Sequence, residues 1–126
     1  MRVSTAQYGK LHHKNGPANA FRHALWNCMI AQHCFRWTKN EIKVLDWTKK
    51  VTDWHEEAFP NKPLAKAMDL HNNAAGRFIF KQNPGKSEEE IISILQKMAL
   101  QSTKIENNTN LSALKNQLVH IIPEQE

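Results

Sequence analysis

From Ala18 to Trp37 the chain runs without a glycine or proline, and its apolar residues are not confined to one stripe. At ~100° per residue, Phe21, Ala24, Trp26, Cys28, Ile30, Ala31, Cys34, Phe35 and Trp37 spread over more than half of a helical wheel. A helix with so wide an apolar surface cannot leave one broad side in water. It belongs at the centre of its fold, with other helices packed around it. Asn15-Gly16-Pro17 marks its start, since proline in the first turn sacrifices only an N–H that has no helical partner.

The remaining elements follow from the same periodicity. Asn40-Glu41 opens a second helix that runs to about Phe59 and is ended by Pro60, with an expected apolar stripe of Val44, Trp47, Val51, Trp54 and Ala58. Asn61-Lys62-Pro63 starts a third helix through roughly Phe80, broken by Asn83-Pro84-Gly85. Ser87-Glu88-Glu89-Glu90 reads as a capping box that opens a fourth helix with Ile91, Ile94, Leu95 and Met98 on one face. After the Asn-rich stretch at 106–110, Leu111, Leu114, Leu118 and Ile121 predict a short fifth helix. No alternating strand pattern exceeds four residues. The expected class is all-α: one compact domain over residues 1–126, built as a bundle of four to five helices. Residues 1–16 would form an irregular basic arm, 17–80 the helices bearing the motifs below, and 87–122 the C-terminal helices. Trp26, Trp37, Trp47 and Trp54 are expected in the core.

Composition limits the alternatives. With 126 residues the chain can bury one modest core. Four glycines and five prolines are too few for a many-turned β-sandwich. No apolar run approaches the ~20 residues that span a bilayer, and the N-terminus lacks the apolar centre of a signal peptide. The expectation is a soluble chain with no readable export address, compatible with delivery as part of a larger secreted protein. Cys28 and Cys34, about 9 Å apart along a helix axis, are too far apart for a disulfide and read as free thiols. The net charge of +5 is local: up to Asn40 there are six basic residues and no acidic one, while the rest of the chain is close to neutral. Such a segment favours an anionic substrate, although it lacks the Lys/Arg density of a dedicated nucleic-acid reader.

Three groups of polar residues stand where apolar ones are expected. On the first helix His23 and Asn27 share the buried half, with Arg22 on the more polar side. On the second, Asp53-Trp54-His55-Glu56-Glu57 gathers titratable groups, with His55 facing inward and Glu56 nearer the polar face. On the third, Asp69, Asn72, Asn73 and Gly76 fall at i, i+3, i+4 and i+7 on one face, and Arg77 follows. Asn and Gly are poor helix formers, so a helix that aligns them uses them either as a polar network or as a site.

The strings N-A-F-R-H-A-x-W, beginning at Asn19, and M-D-x-x-N-N-x-x-G-R, beginning at Met68, together resemble a bacterial domain family of unknown function. That family often forms the C-terminal module of secreted or toxin-like proteins. The resemblance covers residues 16 to about 77 and implies a small degradative or membrane-directed domain with an immunity protein as partner.

If the first three helices meet at one site, they bring together a complete hydrolytic set. His23, His55, Glu56 and Asp69 would be the catalytic acids and bases, and Arg22, Asn27, Asn72, Asn73 and Arg77 would hold the substrate. A phosphoester hydrolase needs these types: a base for water, a carboxylate, and cationic clamps on phosphate oxygens. A divalent metal held by His23, His55 and Asp69 would serve equally by generating hydroxide. The expected activity is therefore hydrolysis of an anionic, phosphate-containing substrate, either nucleic acid or phospholipid. Two other readings stand beside it. One is a non-catalytic binding module whose polar cluster is structural, and the other is a glycan hydrolase with Glu56 and Asp69 as its carboxylate pair.

Overall fold

A computed structural model describes residues 16–58, 62–83 and 85–121. The expected basic arm up to residue 15, the helix-ending Pro60, Asn61 and the breaker Pro84 lie outside the described residues. Four helices carry the chain: α1 (Pro17–Thr38), α2 (Glu41–Ala58), α3 (Pro63–Gln82) and α4 (Glu88–Leu100). They are followed by β1 (Thr103–Lys104), a 3-10 turn (Leu111–Leu114) and β2 (Val119–His120). The fold is an all-α bundle with a minimal parallel bridge between β1 and β2. No helix among the described residues is long and apolar enough to cross a membrane.

Local signals set the helix boundaries. Gly16 caps α1 through its carbonyl, which accepts from Asn19 and Ala20, and Pro17 occupies the first turn. At the other end Lys39 turns left-handed at φ 58°, and its N–H closes on Phe35 O. Asn40 then caps α2, its side chain accepting from Lys43 N at 3.1 Å. The capping box of α4 is present in both directions between Ser87 and Glu90, and these bonds hold the Glu90 carboxyl below its usual range.

α1 is the central helix. It packs against α2, α3, α4 and β2, and buries Ala20, Phe21, Ala24, Leu25, Cys28 and Ala31 within the common core. The closest approach is to α3. A Cβ placed on Gly76 would lie 2.3 Å from Ala24 O and 2.7 Å from Ala24 Cα, backbone atoms that cannot move aside. The Cys28 thiol donates to Gly76 O at 3.1 Å, one turn further along. Cys28 and Cys34 are both free; burial pushes the Cys28 thiol up to about 12, so it is inert as a nucleophile.

Three expectations are corrected. The inward face of α2 is Val44, Thr48, Thr52 and Glu56, not the tryptophan stripe. Thr48 and Thr52 satisfy their hydroxyls on the carbonyls of Val44 and Thr48, so they pack as small side chains against the neighbouring helices. Trp37, Trp47 and Trp54 are accordingly 82%, 55% and 68% exposed, and Trp26 is only partly buried. Finally, the fifth helix stops after a single 3-10 turn. Asn116 adopts φ 68°, which no continuing helix tolerates, and Val119 leaves its backbone to the Asn72 side chain of α3.

Because no side chain fits at the α1–α3 crossing, Gly76→Ala should lower stability by about 3 kcal/mol or more. Ala74→Gly, on the exposed side of α3, should cost only about 1 kcal/mol through propensity. Urea melts of the two variants check the contrast.

Candidate functional site

The α1–α3 crossing fixes the polar residues of both helices opposite one another. Two clusters result, and they differ in kind. The first is a network with its hydrogen bonds directed between helices. Arg77 Nη1 donates to Asn27 Oδ1 at 3.0 Å and to Thr52 Oγ1 at 3.4 Å. Asn27 Nδ2 donates to Asn73 Oδ1 at 2.8 Å and to His23 O at 3.0 Å. Asn72 spends its whole amide on the Val119 backbone, donating to O at 3.0 Å and accepting from N at 2.9 Å. Burial lowers the Arg77 pKa, against an opposing pull from Asp53.

Asn27, Asn72, Asn73 and Arg77, expected to hold substrate, spend hydrogen bonds on one another and on the backbone. The three asparagines are fully buried, and none of the four residues lines the pocket described below. Their amides join α1, α2, α3 and β2, much as a backbone ladder would. The face of α3 that looked like a site from sequence is its inward face, while Ala74 is exposed.

The second cluster is ionic. His23 Nε2 from α1 stands 3.4 Å from Glu56 Oε2 of α2 and 3.5 Å from Asp69 Oδ2 of α3. All three side chains are buried. Behind them, His23 Nδ1 is 3.1 Å from Asn19 O, and Asn19 Nδ2 donates to Asp69 Oδ1 at 3.4 Å. In front lies a small pocket of about 100 Å³ lined by Arg22, His23, Trp26 and His55. The His55 ring meets Trp26 edge-on, with centroids 5.0 Å apart. Arg22 Nε is buried without a hydrogen-bond partner among the described residues.

Three helices thus deliver one group each to a point, and Glu56 stands where the expected metal set had His55. Adjacent residues on a helix point ~100° apart, and α2 turns its Val44–Thr48–Thr52–Glu56 face inward. Glu56 consequently reaches the cluster while half-buried His55 stands at the pocket lip. Sequence reasoning assigned no role to Asn19, which holds both His23 and Asp69. The stripe Asn19–His23–Asn27 at i, i+4 and i+8 on an apolar helix was the signal that could have found it.

A larger groove of about 730 Å³ lies among Ile30, His33, Phe35, Phe80 and Lys86. It holds none of the three clustered residues. His23, Glu56 and Asp69 are the group of metal-ligand type among the described residues whose donor atoms lie within 4.8 Å of one another.

A family model described as a domain of unknown function, DUF6973, matches residues 1–104. The chain belongs to that family. The DUF6973 match spans α1 to α4, and so includes His23, Glu56, Asp69, Asn19 and every residue of the pocket. No curated protein and no solved structure matches the chain.

The electrostatics of the DUF6973 cluster are those of a strained site. Burial raises the Asp69 pKa from 3.8 to about 6; the His23 charge opposes this, and the charge and hydrogen bond of Glu56 reinforce it. A carboxyl whose folded pKa is raised contributes stability that is fully present below its unfolded value near 3.8 and is lost as pH rises through about 6. Asp69→Asn, which cannot ionise, should accordingly be more stable than the wild type at pH 8 by about 1–3 kcal/mol, and no more stable at pH 4. Asn27→Ala should change stability in the opposite direction, lowering it by about 2 kcal/mol at either pH because it strands Arg77 and Asn73. Thermal melts with a chelator present measure both.

Proposed function

We propose that the chain is a small hydrolase of an anionic, phosphate-containing substrate, with the chemistry centred on His23, Glu56 and Asp69. The observation that carries this reading is the burial of three ionisable groups together, one of which, His23, lines a pocket with Arg22, Trp26 and His55. Desolvating two carboxylates and a histidine together is unfavourable for a structure and useful for a reaction. Arg22, whose Nε has no partner among the described residues, suits a phosphate oxygen.

In this mechanism a water at the cluster gives a proton to one of its carboxylates, Glu56 or Asp69, and adds to phosphorus as the bond from phosphorus to the leaving oxygen breaks. Arg22 holds the non-bridging oxygens, whose charge grows in the transition state. His55, at the lip and steadied by Trp26, gives its proton to the leaving oxygen. Asn19 keeps the His23 ring and the Asp69 carboxyl in register.

The geometry disfavours a glycan hydrolase. Glycosidase carboxyl pairs stand about 5 Å or more apart, with the scissile bond between them. Here Glu56 hydrogen-bonds Asp69. A non-catalytic anion-binding module is the second reading, and the same pocket supports it, since Arg22 and His55 would hold an anion without turnover. The resemblance to C-terminal modules of secreted, toxin-like bacterial proteins supports a delivered effector. Such an activity calls for an immunity protein as partner in the producing cell.

Cleavage assays on DNA, RNA and phospholipid vesicles test the reading and separate the substrate classes. His23→Ala should reduce turnover of the cleaved class by ~10²–10⁴-fold, and Arg22→Ala by ~10²–10³-fold. Asn27→Ala should act on stability and leave turnover of the folded protein within about tenfold. Tight binding of a phosphoester with no cleavage of any class would favour the binding module instead.

A further inference from the structure

We propose that His23 Nε2, Glu56 Oε2 and Asp69 Oδ2 bind one divalent transition-metal ion, of the Zn²⁺ or Mn²⁺ type, with its remaining coordination open to the Arg22–Trp26–His55 pocket. The spacing is the first argument. Charge-assisted hydrogen bonds between a histidine and a carboxylate draw in to ~2.7–2.9 Å. The observed 3.4 and 3.5 Å are too long for that. They match the ligand–ligand edge of a tetrahedron with metal–ligand bonds of ~2.1 Å, which is roughly 3.4 Å.

The tautomer is the second argument. His23 Nδ1 faces the Asn19 carbonyl, which can only accept, so Nδ1 carries the proton. Nε2 is then the nitrogen that faces the two carboxyl oxygens, 3.4 Å from Glu56 and 3.5 Å from Asp69. Histidine ligands are held in this way, with the far ring nitrogen donating to a backbone carbonyl. Asn19 supplies the second support as well, its Nδ2 holding the Asp69 oxygen that faces away from the cluster.

The third argument is the number of ligands. Structural zinc sites close four protein ligands around the ion, whereas catalytic sites use three and leave a position for water or substrate. Here three ligands come from three helices, and one of them, His23, lines a pocket with Arg22, whose Nε is buried without a partner among the described residues. An ion at this point would lower the pKa of its water and polarise a phosphoryl oxygen held by Arg22. That catalytic role rests on the hydrolase reading; the binding of the ion does not.

The full chain, stripped with a chelator and dialysed against Mn²⁺ or Zn²⁺, should retain one ion by elemental analysis and titrate with one-site calorimetry. Mn²⁺ is the stricter probe, because it disregards the two thiols. Asn19→Ala should weaken binding ~10–100-fold. The near-isosteric Glu56→Gln and Asp69→Asn should weaken it further, and His23→Ala should remove it. Co²⁺ should give the intense visible bands of a four- or five-coordinate nitrogen–oxygen site in the wild type and not in His23→Ala. No stoichiometric ion, or undiminished binding in folded Glu56→Gln and Asp69→Asn, overturns the site. The two proposals fail separately. Phosphoester cleavage by a protein that retains no ion after dialysis against Mn²⁺ or Zn²⁺ would sink the metal site and keep the hydrolase. A bound ion with no cleavage would do the reverse.

Discussion

The contact of Gly76 with the Ala24 backbone is the constraint on which the rest of the structure depends. Two helices can approach this closely only where one of them has no side chain, and the approach sets which residues face each other above and below it. One turn to one side it seats the Cys28 thiol on Gly76 O. On the other it brings His23 and Asn19 of α1 to Asp69 of α3. The structural network and the ionic cluster are therefore two consequences of a single crossing.

The division of labour between the two clusters follows from their chemistry. Amides carry both donors and acceptors, so Asn27, Asn72 and Asn73 can be buried at modest expense if their partners are in place. They secure α1, α3 and β2. Carboxylates and histidine cannot be buried so quietly. The raised pKa of Asp69 is the sign of the difficulty: burial and the neighbouring Glu56 both penalise its charge. The amide network ties the helices together around that penalty.

Much of this was legible in sequence, because helical periodicity depends on local geometry alone. The breadth of apolar residues on α1 marked it as central, and the Ser87–Glu90 box marked the start of α4. His23 stood out as a polar residue on a face that had to be buried, and Asp69 as one of four residues aligned on a helix whose composition propensity disfavours. The errors came where several orientations fit one pattern. On α2 the tryptophans seemed the obvious inward stripe, but the Val44–Thr48–Thr52–Glu56 face was chosen instead. Thr48 and Thr52 close their own hydroxyls on backbone carbonyls and so can be buried, and Glu56 has a histidine to meet.

The sequence by itself determined the helices, the central position of α1 and the polar residues that would not be ordinary core. It could do so because propensity, capping and periodicity are properties of neighbours along the chain. Only the tertiary structure decided which of those residues meet. It placed Glu56 rather than His55 beside His23 and Asp69, turned the asparagines into a framework, and gave the last apolar stretch to a strand held by Asn72. The physical reason is that rotation of a helix about its own axis is set by what it packs against. A rotation of ~100° exchanges one residue for the next.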